Sequence, residues 1–380
     1  MMERFAAERI TSRHTDLVFL AVLVLLLGTG TAMLFSSSYF RAENLFSDPF
    51  HFFRRQSFWV VLGAIAAMVA TRISLDLVQR WVPLLLFSTL GLMLLTFVPG
   101  IGVRFLGARR WVFLFGYSFQ PSELVKLTLI VYLAFILSRK QTQIDDPVNA
   151  LLPPVIVVGL FVALIYLQND FSSAVFVMVV SMAMFFVAGV PIRYFLSLGA
   201  MIAPLSVLML LTREHRVLRV MAFLEPGRDP SGAGYQVLTS RAALVSGGVW
   251  GAGVGGSVRK LGRLPEAHSD FVFAVIAEEL GFIGVFLVVA LFGMLAWRGY
   301  RIAFRARDRF HSFLAFGLTS SIFLQALLNM AVVSGMVPAT GVPLPFFSSG
   351  GSSVFVTLMM CGLLLNVSRR IESSEEVARG

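Results

Sequence analysis

The feature that most constrains this chain is a series of long, nearly unbroken apolar runs. There are about ten: roughly 17–38, 57–73, 82–99, 119–138, 151–168, 171–190, 193–212, 271–297, 311–335 and 350–368. About 20 apolar residues suffice to cross a bilayer as a helix. Hydrocarbon offers no partner to a free amide, so each segment must satisfy its backbone internally, and helix is the expected form. The expectation is an all-α polytopic membrane protein: one integral membrane domain over 1–380, with about ten transmembrane helices. Two divisions rest on little, Gln168-Asn169-Asp170 and Val190-Pro191. With 57% hydrophobic and 14% charged residues, an ordinary soluble core is excluded. The first run is too long for a signal-peptide core and no small-x-small cleavage site follows it, so it reads as a retained span. The lone Cys361 excludes a disulfide framework and a cysteine metal site, and the five His lack metal-ligand spacing.

An even number of spans puts both termini on one side. With the N-terminal segment 1–16 inside, the inner basic residues are Arg4, Arg9 and Arg13, then Arg72, Arg80, Arg139, Lys140 and Arg193. The cluster Arg298, Arg301, Arg305, Arg307 and Arg309 joins them, as do Arg369 and Arg370 at the start of the tail 369–380. That distribution follows the positive-inside rule, so both termini are expected in the cytoplasm, with the basic flanks touching anionic membrane lipid. A nucleic-acid partner is not implied, because the excess charge is spread over membrane flanks. Other basic residues fall on the outer side: Arg54, Arg55, Arg104, Arg109 and Arg110. A long extracytoplasmic loop between helices 7 and 8, residues 213–270, adds Arg213, Arg216, Arg219, Arg228, Arg241, Arg259, Lys260 and Arg263. Long loops are largely exempt from the rule, yet so basic an outer face suggests an anionic ligand.

That loop carries GAGYQ, then GGVWGAGVGGS, then LPEAHSDFVFAVIAEELG. Gly251, Gly253 and Gly256 formally satisfy GxGxxG, but no strand–helix units surround them, so a dinucleotide site is rejected in favour of close packing. Glu266, His268 and Asp270 fall within five positions. If a helix begins near Asp270, then Ala274, Ala277 and Gly281 share a face that packs closely on neighbouring helices. Asp270 then projects inward at the outer rim; an N-capping aspartate is the simpler reading, compatible with a functional one. Glu278 and Glu279 lie roughly 12 Å deeper, where ionisable groups are functional or paired, for instance with Lys126.

GARRWVFLFGYSFQPSELVKL leads into the fourth span. Pro121 fits a first helical turn, Glu123 favours the N-terminal end of the dipole, and Lys126 shares its face. An internal Glu–Lys pair and a site for a phosphate-bearing ligand both fit. Asn169-Asp170 reads as a turn. ATGVPLPFFSSGGSS, ending at Ser353 and including Ser352, implies irregular backbone buried in protein or lining a cavity. Spans four, eight and ten could thus present a lysine, acids and a glycine–serine loop to one cavity.

FQPSELVK, LPEAHSDFVFAVIAEELG and TGVPLPFFSSGGSS resemble, in order, the signatures of the SEDS family (shape, elongation, division and sporulation), from about Asp16 to Arg370. The resemblance implies a ten-span protein of the bacterial inner membrane. Such a protein polymerises lipid II into glycan strands beside a class B penicillin-binding protein and other divisome or elongasome proteins. It places the catalytic aspartate on Asp270 and the basic pair on Arg110 and Lys126, with Glu123 between them. GYQ, GGSVRKL and LPEAH lean toward the division branch, TGVPLPF toward elongation. QNDFSS and SSGGSS depart from the family pattern and weaken roles for Asp170 and Ser349.

On that reading Asp270 is a general base toward the acceptor hydroxyl. Arg110 and Lys126, then Lys260 and Arg263, meet the charge developing on the lipid pyrophosphate. Glu266, His268 and Ser352 complete the substrate-binding set. One-step displacement from an α-linked donor inverts to a β-linkage. A divalent cation, magnesium or manganese, can assist, although the sequence shows no dedicated cage. Two rivals remain: a flippase for the same lipid, which suits intramembrane Glu and Lys, and a scaffold that only recruits a transpeptidase.

Overall fold

The computed structural model describes residues 16–379 apart from 106–107, 115, 141–150, 213, 231, 233 and 262–263. Arg4, Arg9, Arg13, Arg213 and Arg263 therefore lie outside the described residues. The chain is mostly helical. Leu17–Phe46 (α1), His51–Ala70 (α2), Leu75–Arg80 (α3) and Val82–Leu95 (α4) come first. Pro121–Lys140 (α5), Leu152–Leu167 (α6), Phe171–Val187 (α7) and Ile192–Leu211 (α8) follow. Next are Glu214–Leu224 (α9), Tyr235–Ser246 (α10), Val272–Arg305 (α11), Arg309–Val333 (α12) and Gly351–Arg379 (α13). Six helices, α1, α2, α5, α11, α12 and α13 as far as Ile371, are long and apolar enough to cross a membrane. Helices α4, α6 and α7 are shorter apolar helices. Both thin divisions hold: Asp170 caps α7, accepting from Ser173 N at 3.2 Å, and α8 begins directly after Pro191.

One expectation is corrected. The chain is not purely helical: Gly102–Phe105 (β1), Ala108–Leu114 (β2) and Tyr117–Phe119 (β3) form an antiparallel meander. A search for helix-length apolar runs passes over it, because Gly107 and Gly116 cut a β-branched and aromatic stretch into hairpin lengths. The long loop expected over 213–270, too long for a simple connection, holds α9, α10 and a 3-10 turn at Pro226–Arg228.

Helix α5 sits in the middle, packed against α4, α7, α12 and α13; α13 lies along α2, and α11 lies between α1 and α12. Small residues permit the closest crossings, as is usual where lipid supplies no hydrophobic drive between helices. A methyl at Gly362 on α13 would overlap the Ala67 carbonyl on α2. Polar groups add ties: Thr89 and Thr128 hydroxyls at 2.8 Å, and Asn366 Nδ2 donating to Ala70 O at 2.7 Å and Ile73 O at 2.6 Å. Asp16, which caps α1, accepts from both Arg298 Nε at 3.0 Å and an Arg298 terminal nitrogen at 2.6 Å. Cys361 is fully buried within α13.

Helix α11 is broken at Gly281, where φ is 64° and ψ is −163°, a backbone region essentially confined to glycine. The expected stripe Ala274, Ala277 and Gly281 is buried, and the glycine-rich segment 247–257 lies against it. Ala252 N donates to Glu278 O at 2.9 Å, Gly253 N to Glu279 O at 3.0 Å, and Phe282 N to Gly248 O at 2.9 Å. The loop thereby supplies partners that the interrupted helix lacks. Gly281→Ala would force that conformation on a Cβ and drive it into Gly251 N and Val249 O. We expect a loss of about 3 kcal/mol from strain and overpacking. It is read as a lowered thermal unfolding midpoint in detergent; an unchanged midpoint would show that the break is not glycine-dependent.

Candidate active site

A cavity of about 1350 Å³ opens between the meander, the start of α5, the Asn169–Phe176 end of α7, the turn 265–271 and the segment 337–353. Arg110, Glu123, Lys126, Glu266, His268, Asp270 and Ser352 all line it. Residues more than 240 positions apart in the chain thus meet in one space. Lys260 does not share it: its Nζ lies 2.6 Å from Glu279 Oε1 and 3.0 Å from Ser36 Oγ. Glu278 pairs with Arg259 at 2.6 Å and accepts from Ser257 Oγ. The expected partnership of Lys126 with Glu278 or Glu279 is therefore replaced by two ion pairs that tie the glycine-rich loop to α11.

Asp270 stands in the turn before α11, whose cap is Phe271, so the N-capping reading is overturned. Burial pushes its carboxyl up to about 6, the Glu266 charge adds to this, and Arg110 and Arg219 pull the other way. Its neighbours are held in place. Glu266 adopts a left-handed backbone at φ 53°, pairs with Arg41 at 3.2 Å and accepts from Ser269 Oγ at 2.8 Å. His268 packs on Phe52 at 4.6 Å between ring centroids, and its carbonyl accepts from Ser349 N at 2.9 Å. Burial lowers its imidazole to about 4, so it is neutral at neutral pH. Gly341, with φ 73°, lets the 339–343 backbone run beside the Asp270 carboxylate; a Cβ there would sit 3.3 Å from Asp270 Oδ2.

The lining is also cationic. Lys126 is buried, with Nζ 2.7 Å from Glu123 Oε2 and 2.6 Å from Gln325 Oε1. Arg110 projects from β2, with a terminal nitrogen 3.6 Å from Asp170 Oδ2. Asp170 also accepts from Gln120 Nε2 at 3.0 Å, so it is more than a turn residue. Sequence reasoning passed over Arg41, Gln325 and Asn329. The last two are amides inside an apolar helix, 2% and 1% exposed, and that anomaly was the available signal. The donor set does not close around a divalent cation: Glu266 is paired with Arg41 and Asp170 with Arg110. Among the described residues no three His, Cys, Asp or Glu gather as metal ligands.

A carboxylate whose proton affinity is raised to about 6 shares with Arg110 and Lys126 a cavity large enough for sugars. This is an arrangement for proton abstraction beside an anionic leaving group. Residues 16–373 match a cell cycle protein model covering FtsW, RodA and SpoVE, and the chain belongs to that family of polytopic membrane proteins. It is 40% identical over 359 residues to a protein of Geobacter sp. strain M18 named "Probable peptidoglycan glycosyltransferase FtsW", covering 94% of this chain and 98% of that one. A chain solved in a study of "polymerization and crosslinking by a peptidoglycan synthase complex" superposes with a TM-score of 0.77 at 29% identity, over 94% and 98% of the two chains. RodA of Thermus thermophilus gives 0.69 at 27% identity, over 93% and 97%.

A base must be ionised to act, so activity should rise with pH through about 6, the value at which Asp270 loses its proton. Glu266→Gln removes a charge that holds the Asp270 proton on, and we expect its acid limb to lie at lower pH. A kcat/KM profile in which Glu266→Gln leaves the limb in place would disconnect Asp270 from it.

Proposed function

We propose that this chain is the peptidoglycan glycosyltransferase that polymerises lipid II into β-1,4 glycan at the outer face of the bacterial inner membrane. The observation that carries the reading is Asp270, with its raised proton affinity, facing Arg110 and Lys126 in one cavity. In the step, the acceptor hydroxyl gives its proton to Asp270 and its oxygen bonds to the donor's anomeric carbon. The bond to the lipid pyrophosphate breaks from the opposite face, giving inversion. Arg110 and Lys126 meet the charge that grows on that leaving group, and such preorganised cations are worth most in a water-poor site.

The proposed arrangement has ten spans with both termini in the cytoplasm. The family match and the apolar runs support it, as do the arginines around the junction of α11 and α12: Arg301, Arg305, Arg307 and Arg309. Residues 213–270 then face outward, and their positive charge draws an anionic substrate to the surface. The FtsW relatives favour a role in division, and a class B penicillin-binding protein is the proposed partner, by analogy with the synthase complex. Lipid II transport is the rival reading, and the relatives, named as glycosyltransferases, do not favour it.

Purified protein with a class B partner and labelled lipid II separates the readings. We expect Asp270→Asn to lose about 10²- to 10⁴-fold in polymerisation and Arg110→Ala about 10²- to 10³-fold, with folding unchanged. Equal glycan from wild type and Asp270→Asn would remove Asp270 from the mechanism. No glycan from wild type beside an active partner would favour transport.

A further inference from the structure

Two buried amides on α12 reach both sides of the cavity, and neither touches the reacting space. Gln325 and Asn329 are four residues apart and so share a helix face. Asn329 Nδ2 donates to Asp270 O and to Val342 O, each at 2.9 Å. One turn away, Gln325 Oε1 accepts from Lys126 Nζ at 2.6 Å, while Gln325 Nε2 donates to Pro343 O at 3.0 Å. One rigid face of α12 thus holds the turn that carries the acid, the side chain of the cation, and the Val342–Pro343 backbone between them. Helix α12 is well placed to serve as a reference, since α5, α7, α11 and α13 all pack on it.

Resting on the reading of Asp270 and Lys126 given above, we propose that Gln325 and Asn329 are positioning residues: a two-amide clamp on α12 that sets the separation of Asp270 and Lys126. The Asn329 amide has a cost that packing alone would not impose. Its Oδ1 is buried without a hydrogen-bond partner, and leaving such an acceptor dry is unfavourable. A leucine would fill the space without that penalty but would release two carbonyls. Glu123 cannot do the same work for Lys126, because it sits on the same helix and moves with it. In the transfer step the base must stay within hydrogen-bond reach of the acceptor hydroxyl while the cation stays at the leaving phosphate. A displacement of about 1 Å in such a geometry costs on the order of 10²-fold in rate.

The experiment compares lipid II polymerisation by the full chain with its partner for wild type, Asp270→Asn, Asn329→Leu and Gln325→Met, over about pH 5 to 9. Unfolding midpoints in detergent are measured alongside. We expect each clamp variant to lose about 10- to 100-fold in kcat with KM for lipid II within about threefold. In Asn329→Leu the acid limb should also move to lower pH, because a released turn lets water reach the Asp270 carboxyl. Wild-type kcat and an unmoved limb in folded variants would overturn the clamp. So would a loss confined to KM, which would mark a substrate contact instead. If Asn329→Leu does not fold, Asn329→Ser, which keeps a donor, takes its place, with partial kcat expected and full wild-type behaviour counting against the clamp. Failure of the functional reading is distinct: wild type itself then makes no glycan, or Asp270→Asn matches it.

Discussion

A peptide group inside a bilayer must find its hydrogen-bond partner within the protein, and this chain breaks a spanning helix at Gly281 all the same. The arrangement of the glycine-rich loop follows from how that break is satisfied. Backbone of 248–253 takes up groups around Glu278–Ile283, which requires the loop to come as close as only glycine permits. The approach brings Arg259 and Lys260 within 2.6 Å of Glu278 and Glu279. Two acids that would be prohibitive alone at that depth become anchors for the loop. The first half of α11, held from outside in this way, is a fixed base for the turn bearing Asp270.

Charge inside the cavity follows the same logic at shorter range. The buried charges Lys126 and Asp170 have counterparts in Glu123 and Arg110, and the half-exposed Glu266 pairs with Arg41. Asp270 differs, answered only by more distant arginines and opposed by Glu266, so burial decides its proton affinity. Three of the four non-glycine residues with left-handed backbone among the described residues, Asn169, Glu266 and Phe346, lie on the cavity wall or in the loop beside it. Strain is concentrated where the wall must hold an irregular shape.

The helices were legible because a 20-residue apolar run has one good solution in lipid. Asp270, Arg110, Glu123 and Lys126 were legible as charges in the wrong solvent, and the family motifs ordered them. The meander was not, because its short apolar stretches look like the frayed end of the run at 82–99. The fate of Lys260 was not, because its pairing with Glu279 depends on how a loop folds back over a helix whose break at Gly281 looks, in the sequence, like one more small residue in a packing stripe. Gln325 and Asn329 carry no charge, and composition reads them as ordinary interruptions; their reach to Asp270 and Lys126 exists only in three dimensions.

Cys361 has a practical consequence. It is the chain's one sulfhydryl and is sealed within α13 at 0% exposure. A water-soluble maleimide therefore meets an essentially silent background in the folded protein. A cysteine introduced at the rim of the cavity, in the segment 337–342 or on α9, becomes a uniquely addressable position without engineering away a native thiol. The molecule comes ready for spectroscopic labels that report how the loops around the cavity move.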